Sequence, residues 1–336
     1  MQNEALYYKK LSNHKVECML CPHHCRLSND QRGICKVRIN IEGVLYTEVF
    51  GKVASLAIDP IEKKPLFHFY PGRQILSFGT NGCNLRCSFC QNYTISQHSG
   101  ENAYYTRKMK PADIVELATR HKDNLGIAYT YNEPTVFYEF MIETAKLAQE
   151  KGLKNVMVTN GYINPKPLME LLPFIDAFNV DLKAFDDNFY RKVTGSSLAP
   201  VLESIKIIYN AGKHLELTNL VIPGENDDEE KFKEMLDWIT KELSPSVPFH
   251  LSRYFPSYLY TEAPTPTSTL AHLFKLAHEK LEFVYVGNVS LEGKSDTFCP
   301  SCKHLLISRY RYQSEFFDLD ESGNCKNCGT HVIDYL

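Results

Sequence analysis

The sequence predicts an α/β fold, with a parallel sheet curled into a partial (β/α)6 barrel. From residue 74 onward, six short apolar segments alternate with amphipathic helical segments, which is typical of parallel strands joined by crossover helices. Each apolar segment is followed by a polar motif, as expected where the chemistry of a barrel gathers at the C-terminal ends of its strands. The 336 residues, of which 43% are hydrophobic, supply ample chain for a core of this kind.

The predicted strands are short, apolar segments rich in β-branched residues, and right-handed crossovers would curl them into a barrel. They cover residues 75–79, 126–130, 155–159, 177–181, 214–221 and 249–252. Helices are predicted at 111–121, 135–151 and 227–243, and Pro111 suits the first turn of the first of them. A further helix at 268–280 and a last strand at 283–288 would complete the sheet edge.

The chain divides into three predicted units. Residues 1–70 hold a four-cysteine module and two Gly-bounded strands, 43–51 and 53–58, which predict a β-hairpin. Residues 71–290 form the barrel, and residues 291–336 resemble a zinc ribbon. The segment 59–69 is rich in proline and is expected to be irregular.

Composition narrows the class of protein. A net charge of −3 gives no global basic surface for nucleic acid. The first thirty residues contain no apolar signal-peptide core, and no run of about 18 apolar residues predicts a membrane span. The eleven cysteines fall into three clusters with metal-ligand spacing, which is typical of a reducing compartment. We therefore expect a cytoplasmic enzyme without a membrane partner.

The central motif is Cys83, Cys87 and Cys90 in a C-x3-C-x2-C spacing, with Phe89 before the third cysteine. Three thiolates can hold three irons of a [4Fe-4S] cluster, which leaves the fourth iron open to a small molecule. A zinc knuckle lacking its fourth ligand is the alternative, but structural zinc is almost always four-coordinate. The spacing therefore predicts a cluster with one open iron.

This motif resembles the cluster loop of the radical SAM superfamily. The sequence of residues 59–69 (DPIEKKPLFHF), together with Cys90, Gln91 and Asn92, resembles that of the radical SAM enzyme of the AmmeMemoRadiSam system. That family is related to the pyruvate formate-lyase activating enzymes. The resemblance extends over nearly the whole chain. It implies the radical SAM partial barrel, a [4Fe-4S] cluster and S-adenosyl-L-methionine as cofactors, and an unidentified substrate.

The resemblance also implies roles for polar residues at the predicted strand ends. Where the superfamily usually has Gly-Gly-Glu, this chain has Tyr131, Asn132 and Glu133, and Glu133 would accept from the methionine ammonium. Asn132 has a helix N-cap as its alternative role. Asp181 and Lys183 resemble the activating enzymes' pair near the cofactor, with Lys183 suited to the methionine carboxylate, and a solvated ion pair is the alternative.

Three further residues are candidates for cofactor binding. Asn160 suits a ribose hydroxyl, Val221 is expected to line the adenine, and His250 is expected to stack on the adenine or bond to its edge. A core histidine is the alternative for His250. The long aromatic and proline-rich segment 256–266 would cover the rim and exclude water.

The two outer cysteine clusters predict further metal sites. Cys18, Cys21, Cys25 and Cys35 suit either structural zinc or a second [4Fe-4S] cluster that relays electrons, because spacing does not separate the two. Cys299, Cys302, Cys325 and Cys328 form two C-x2-C pairs typical of a zinc ribbon. Rubredoxin-type iron or another cluster is the alternative at this second site.

The expected activity is reductive cleavage of S-adenosylmethionine to a 5′-deoxyadenosyl radical that takes hydrogen from a substrate, with an external electron donor. By the resemblance to glycyl-radical activases, that substrate would be a partner protein, with the companion proteins of the AmmeMemoRadiSam system as candidates. Radical modification of a small metabolite or an RNA nucleoside is a second hypothesis. A non-enzymatic iron–sulfur electron-transfer or metal-binding scaffold is a third.

Overall fold

The computed structural model describes residues 3–97 and 106–336, and at its centre lies an eight-stranded sheet. In chain order its strands are β1 (Ser55–Pro60), β2 (Gln74–Gly79), β3 (Asn124–Tyr129), β4 (Lys154–Thr159), β5 (Ala177–Asp181), β6 (His214–Val221), β7 (Phe249–Arg253) and β8 (Val284–Gly287). Each strand pairs with the next one in the chain. Strands β2 to β8 run parallel, and β1 is antiparallel to β2. The described strands β1 and β8 do not pair with each other, so the barrel is partial.

Helices connect these strands as the alternating pattern predicts. They are α1 (Pro111–Arg120), α2 (Tyr138–Glu150), α3 (Pro165–Leu171), α4 (Leu198–Asn210), α5 (Glu229–Glu242) and α6 (Thr267–His278). The α5 helix begins where the side chain of Asp228 accepts a hydrogen bond from the backbone N–H of Lys231, at 2.9 Å. Its apolar residues, spaced at the helical period, are buried against the sheet. Short helical turns lie at Ile61–Lys63, Tyr93–Ser96, Pro134–Phe137, Leu172–Phe174, Asp187–Phe189 and Tyr190–Thr194.

The predicted hairpin within residues 43–58 is wrong. Strand Val44–Thr47 pairs with Arg38–Ile41 and with Asn3–Glu4 in a separate small sheet. Strand β1, which covers most of the second predicted segment, instead joins the barrel as the antiparallel neighbour of β2. Local pattern identified both strands, but it carries no information on which distant strand each would meet. Part of the predicted N-terminal unit therefore belongs to the barrel sheet.

The N-terminal cysteines lie in a small unit built from short strands. Tyr8–Lys10, Val16–Cys18 and Arg26–Leu27 form a second three-stranded sheet. The buried guanidinium of Arg38 pairs with the carboxylate of Glu139 on α2, and that carboxylate also accepts from the backbone N–H of Leu6 at 2.8 Å. This buried ion pair fixes the N-terminal unit on the outside of the barrel.

The C-terminal unit packs against the segment 61–70. Its strands are Thr297–Phe298, Leu305–Tyr310 and Gln313–Phe316. Arg309 Nη2 donates to the carbonyl of Phe67 at 2.8 Å, and Ser314 Oγ donates to Glu62 Oε1 at 2.6 Å. The irregular segment thus serves as the shared contact between the barrel and the C-terminal unit. A pair Lys52–Val53 and Arg107–Lys108 forms the remaining small sheet.

Within the described residues, no helix is both long and apolar enough to cross a membrane.

Candidate active site

The three central cysteines line one cavity at the C-terminal end of β2. Cys83, Cys87 and Cys90 share this cavity of about 160 Å³ with polar side chains from three other strand ends. Those side chains are Asn132 after β3, Asn160 after β4, and Asp181 and Lys183 at the end of β5. One cavity at the C-terminal ends of the strands therefore brings together polar residues from segments far apart in the chain, as expected for a barrel. Larger cavities, of about 370 Å³, lie away from the cysteines.

The cysteine loop is held by backbone hydrogen bonds rather than by regular structure. The N–H of Arg86 donates to the carbonyl of Thr194 at 2.8 Å, and the N–H of Ser88 donates to the carbonyl of Val193 at 3.1 Å. The side-chain amide of Asn132 donates to the carbonyl of Gly82. These contacts hold the start and the middle of the loop, so the surrounding protein positions the three cysteines.

The spacing and burial of the sulfurs fit an iron–sulfur cluster. In the described part of the chain, Cys83, Cys87 and Cys90 do not bring their sulfurs within 4.8 Å of one another, as a single ion would require. Burial raises the pKa of the Cys87 thiol to about 12, although the charge of Lys183 lowers it. Metal ligands bind as thiolates, and a cluster at this place would supply the positive charge that stabilises that form.

Glu133, and not Asn132, caps the helical turn Pro134–Phe137 that follows β3. The Glu133 carboxylate is fully buried, and it accepts from Thr135 Oγ1 and Thr159 Oγ1, each at 2.7 Å, and from the N–H of Asn160 at 2.8 Å. Burial raises its pKa despite these donors. Asn132 Oδ1, in contrast, is buried at the cavity without a hydrogen-bond partner. Asn132 therefore lines the cavity with an acceptor atom that no described donor occupies, whereas the Glu133 carboxylate is engaged by donors at the ends of β3 and β4.

Asp181 and Lys183 form a close ion pair on the cavity wall. Lys183 Nζ lies 2.7 Å from Asp181 Oδ2, and the lysine side chain is only 13% exposed. Burial alone would lower the pKa of Lys183, but the negative charge of Asp181 keeps it above its ordinary value. A permanently charged ammonium at this place suits a carboxylate ligand.

Asn160 lies at the cavity, but its side chain is already engaged. Its Nδ2 donates to Asn84 Oδ1 at 2.9 Å, and its Oδ1 accepts from the N–H of Tyr162 at 2.8 Å. The Nδ2 atom also lies 3.9 Å from Cys83 Sγ. These contacts position the cysteine loop, and each of the two polar atoms of the Asn160 side chain already has a protein partner.

The structure places Leu220, and not Val221, on the cavity wall. Val221 is fully buried in the main hydrophobic core. The reason is strand alternation, because neighbouring residues of β6 point to opposite faces of the sheet. Leu220 lies two steps of two from Glu216 along β6, so these two residues share the face of the strand opposite to Val221.

The structure separates His250 from the cysteine cavity. His250 is the second residue of β7, and its Nε2 lies 2.6 Å from Glu216 Oε2 in the first half of β6. Its ring packs edge-on against Phe67, with centroids 4.7 Å apart. This is the opposite end of the strands from the cysteines, so His250 has the core role that was the alternative to adenine contact.

Two site features escaped the sequence analysis. Tyr131 lines the cavity with a left-handed backbone (φ 73°), and its hydroxyl donates to Asp59 Oδ2 at 2.8 Å. Asp59 also accepts from Lys64 Nζ at 2.7 Å. This network ties the segment that follows β1 to the cavity, and only the pairing of β1 with β2 brings it there.

The rim segment after β7 covers the cysteine loop, as expected. The N–H of Leu259 donates to the carbonyl of Ser88 at 2.9 Å, and Ser257 Oγ donates to the carbonyl of Cys90 at 3.1 Å. The ring of Tyr258 stacks on Tyr93, with centroids 5.0 Å apart. These contacts close one side of the site with aromatic surface.

The C-terminal cysteines converge on a single point. The sulfurs of Cys299, Cys302, Cys325 and Cys328 all lie within 4.8 Å of one another. A four-coordinate ion with metal–sulfur bonds of about 2.3 Å requires such a spacing. The arrangement of the four residues therefore suits one metal ion.

The comparisons with known proteins agree with this site. A model of the Radical SAM superfamily matches residues 78–239, which contain the cysteine loop and the strand ends described above. An uncharacterized protein of Methanocaldococcus jannaschii is 47% identical, over 98% of this chain and 98% of its own length. The pyruvate formate-lyase-activating enzyme of Clostridium pasteurianum is 24% identical over 54% of this chain and 76% of its own.

Solved structures share the fold. A radical SAM methyltransferase from Sphaerobacter thermophilus superposes with a TM-score of 0.52 at 16% identity, over 70% of this chain and 71% of its own. The cysteine loop, the cavity and the family match coincide on the same strand ends. The chain therefore belongs to the radical SAM superfamily, as an enzyme related to the pyruvate formate-lyase-activating enzymes.

Proposed function

We propose that this chain is the radical SAM enzyme of an AmmeMemoRadiSam system, and that it activates a partner protein by hydrogen abstraction. Cys83, Cys87 and Cys90 would hold a [4Fe-4S] cluster, which supplies the one electron, taken from an external donor, that splits S-adenosylmethionine into methionine and a 5′-deoxyadenosyl radical. That radical takes one hydrogen atom from the substrate and leaves as 5′-deoxyadenosine.

The observation that carries the cofactor assignment is that Asn132 and Lys183 line the same cavity as the three cysteines. Asn132 Oδ1 offers a buried, unpartnered acceptor for the methionine ammonium, and such an acceptor is costly to leave unpaired. Lys183 offers a cation for the carboxylate, and Asp181 keeps it charged. An amino-acid group presents both charges together, so this cavity suits the methionine end of the cofactor.

The chemistry of the rim supports a macromolecular substrate. Phe255, Tyr258 and Leu259 are exposed there, and Leu259 has 69% of its surface in solvent. They lie on the segment that contacts the cysteine loop through Ser88 and Cys90. Exposed apolar surface beside a cavity is typical of protein docking. Relatives named as activating enzymes act on a protein, and a backbone glycine of one of the companion proteins is the proposed target.

We also propose that the C-terminal cysteines bind zinc as a structural ion. The convergence of four sulfurs fits tetrahedral zinc, and the unit is too small to rely on its own apolar core. This metal would stabilise the C-terminal unit against the segment 61–70.

The test is hydrogen transfer from a labelled partner. Each companion protein is produced with deuterated glycine and mixed anaerobically with the reduced enzyme and S-adenosylmethionine. We expect deuterium in 5′-deoxyadenosine with one companion, and a Leu259→Ser enzyme to lose this transfer while keeping slow uncoupled cleavage. Deuterium-free product with both companions, together with hydrogen transfer from a small metabolite or a nucleoside, would overturn the protein-substrate proposal. Absence of any S-adenosylmethionine cleavage would overturn the radical assignment itself.

A further inference from the structure

The four N-terminal cysteines line one cavity, and they differ in arrangement from the four C-terminal cysteines. We propose that Cys18, Cys21, Cys25 and Cys35 hold a second [4Fe-4S] cluster and not zinc. This inference concerns a site outside the cysteine loop, and it does not depend on which substrate the enzyme uses.

The distances between sulfurs carry the inference. The structure contains two four-cysteine sites, and only the C-terminal one closes to within 4.8 Å among the described residues. No three of the N-terminal sulfurs come that close to one another, although all four residues line one cavity. Sulfurs bound to one zinc ion lie about 4 Å apart, because each bond is about 2.3 Å. Sulfurs on four different irons lie about 6 Å apart, because the cube stands between them.

The catalytic cysteines provide an internal reference. Cys83, Cys87 and Cys90 belong to a superfamily that binds a cluster, and their sulfurs also stay outside the 4.8 Å limit. The N-terminal cysteines therefore resemble the cluster loop of the same chain in not converging on the geometry of a single ion. They differ in supplying four thiolates, so every iron of a cubane would have a protein ligand.

The surroundings of the N-terminal cavity suit a cluster. The cavity is lined by Leu20, Leu27 and Val136 beside the cysteines, so the site is largely dry. Gly33 faces the gap between two of the ligands, and a Cβ added there would lie 3.6 Å from Cys25 Sγ and 3.8 Å from Cys35 Sγ. The missing side chain leaves room between those sulfurs for inorganic atoms.

Two N–H groups point at the thiolates. The backbone N–H of Ile34 donates to Cys25 Sγ at 3.5 Å, and Arg38 Nη1 lies 3.8 Å from Cys18 Sγ. Hydrogen bonds to cluster sulfurs are one of the means by which proteins set reduction potential. Arg38 adds a buried positive charge, fixed by Glu139, beside four negative ligands.

The site touches the catalytic loop on both sides of Cys83. His23 Nε2 lies 2.7 Å from the carbonyl of Asn84. A Cβ added to Gly82 would lie 2.8 Å from the carbonyl of Cys35, so the two backbones are in direct contact. Clusters held at these two places would be near neighbours, and their unpaired spins would interact when both are reduced.

Metal analysis tests the proposal without using activity. The native protein and a Cys83→Ala/Cys87→Ala/Cys90→Ala variant are purified anaerobically, without chemical reconstitution, from cells supplied with both iron and zinc. We expect the variant to retain about four irons and four sulfides per chain, with the Mössbauer spectrum of a cubane. Loss of all iron with two zinc ions per chain would overturn the proposal, as would a two-iron cluster.

A second variant keeps the test decisive if the first one misfolds. Cys21→Ser/Cys25→Ser removes ligands of the N-terminal site only, and we expect iron to fall by about half while the catalytic cluster remains. We also expect the electron paramagnetic resonance signal of the reduced native protein to be broadened by the neighbouring cluster, and to become narrow in this variant. An iron content and a line width equal to the native values would refute the second cluster. Cys302→Ser is the matched control, with unchanged iron and reduced zinc.

Discussion

His250 Nε2 lies 2.6 Å from Glu216 Oε2 in the first halves of two adjacent strands, at the end of the barrel away from the cysteine loop. The same carboxylate accepts from the N–H groups of Phe67 and His68, at 3.0 and 2.7 Å. His68 Nε2 lies 2.5 Å from the hydroxyl of Tyr285. Glu216 thus binds the segment that follows β1 to the end of the barrel away from the cysteine loop. His68 and His250 take part in this hydrogen-bond network and therefore stabilise the fold.

The buried His68 gives the first prediction. Burial lowers its pKa to about 3, so the folded state keeps it neutral while the unfolded state protonates it below about pH 6.5. The contribution of neutral His68 to the free energy of unfolding is therefore complete above pH 6.5. It falls by about 1.4 kcal/mol per pH unit as the pH drops from 6.5 toward 3. We expect His68→Gln to lower the melting temperature at pH 7 but to weaken its dependence on pH between 6.5 and 5. Exposed His121→Gln is the control, and an equal pH dependence in His68→Gln and the native protein would contradict the assignment.

The cysteine loop gives the second prediction. Cys87→Ala removes one of three ligands, so we expect no S-adenosylmethionine cleavage and a reduced iron content. The C-terminal cysteines lie in a separate unit, so we expect the metal content of that unit to stay unchanged. Product analysis for 5′-deoxyadenosine and metal analysis check both results. Turnover retained in Cys87→Ala would refute the role of this cysteine.

Asn132 gives the third prediction. Asn132→Ala removes the unpartnered acceptor, and the loss of one hydrogen bond to a charged group weakens S-adenosylmethionine binding about 10- to 100-fold. The visible spectrum of the cluster serves as the control for an intact loop, since Asn132 also donates to Gly82.

Glu133→Gln is the comparison for this residue, because its carboxylate is enclosed by protein donors. We expect it to lower stability more than affinity. The reverse order, with affinity sensitive to Glu133 and not to Asn132, would restore the role expected from sequence.

Lys183 gives the fourth prediction. Lys183→Ala leaves the Asp181 carboxylate facing the cofactor carboxylate, so we expect affinity for S-adenosylmethionine to fall about 10- to 100-fold with the cluster spectrum unchanged. Lys206→Ala is the matched control, because it breaks a half-exposed ion pair with Glu242 far from the cavity. Equal affinities in both variants would reduce the Asp181–Lys183 pair to an ordinary ion pair.

The C-terminal cysteines give the fifth prediction. Cys325→Ser removes one of four ligands, so we expect loss of one zinc ion per chain and a lower melting temperature, since structural zinc contributes folding energy directly. Lys326→Ala alters the exposed neighbour of Cys325 without changing a ligand, and this variant should keep its zinc. Iron in place of zinc at this site of the native protein would count against the assignment.

Much of the site could be predicted from local sequence. The C-x3-C-x2-C spacing names the cluster ligands because all three lie on one loop, and the alternation of apolar segments places that loop at a strand end. Asp181 and Lys183 are two residues apart at the end of a strand, so their shared direction follows from the strand period. The predicted bounds of β5 and β6 agree with the structure for the same reason.

The remaining features depend on partners far away in the chain. The sequence did not show that β1 would pair with β2 and not with Val44–Thr47. It also did not show that Thr135 and Thr159 would donate to Glu133, while Asn132 Oδ1 has no hydrogen-bond partner. The spacing of the cysteines along the chain is compatible with either zinc or a cluster at both outer sites. Among the described residues, the structure brings the four sulfurs within 4.8 Å of one another at the C-terminal site and not at the N-terminal site. Residue type and short-range period fix which groups are present and which way a strand presents them. Packing between distant segments decides which polar atoms have a hydrogen-bond partner and how far apart the cysteine sulfurs lie. The reason is that the partners of a buried group, which come from elsewhere in the chain, occupy its donors and acceptors and fix its position.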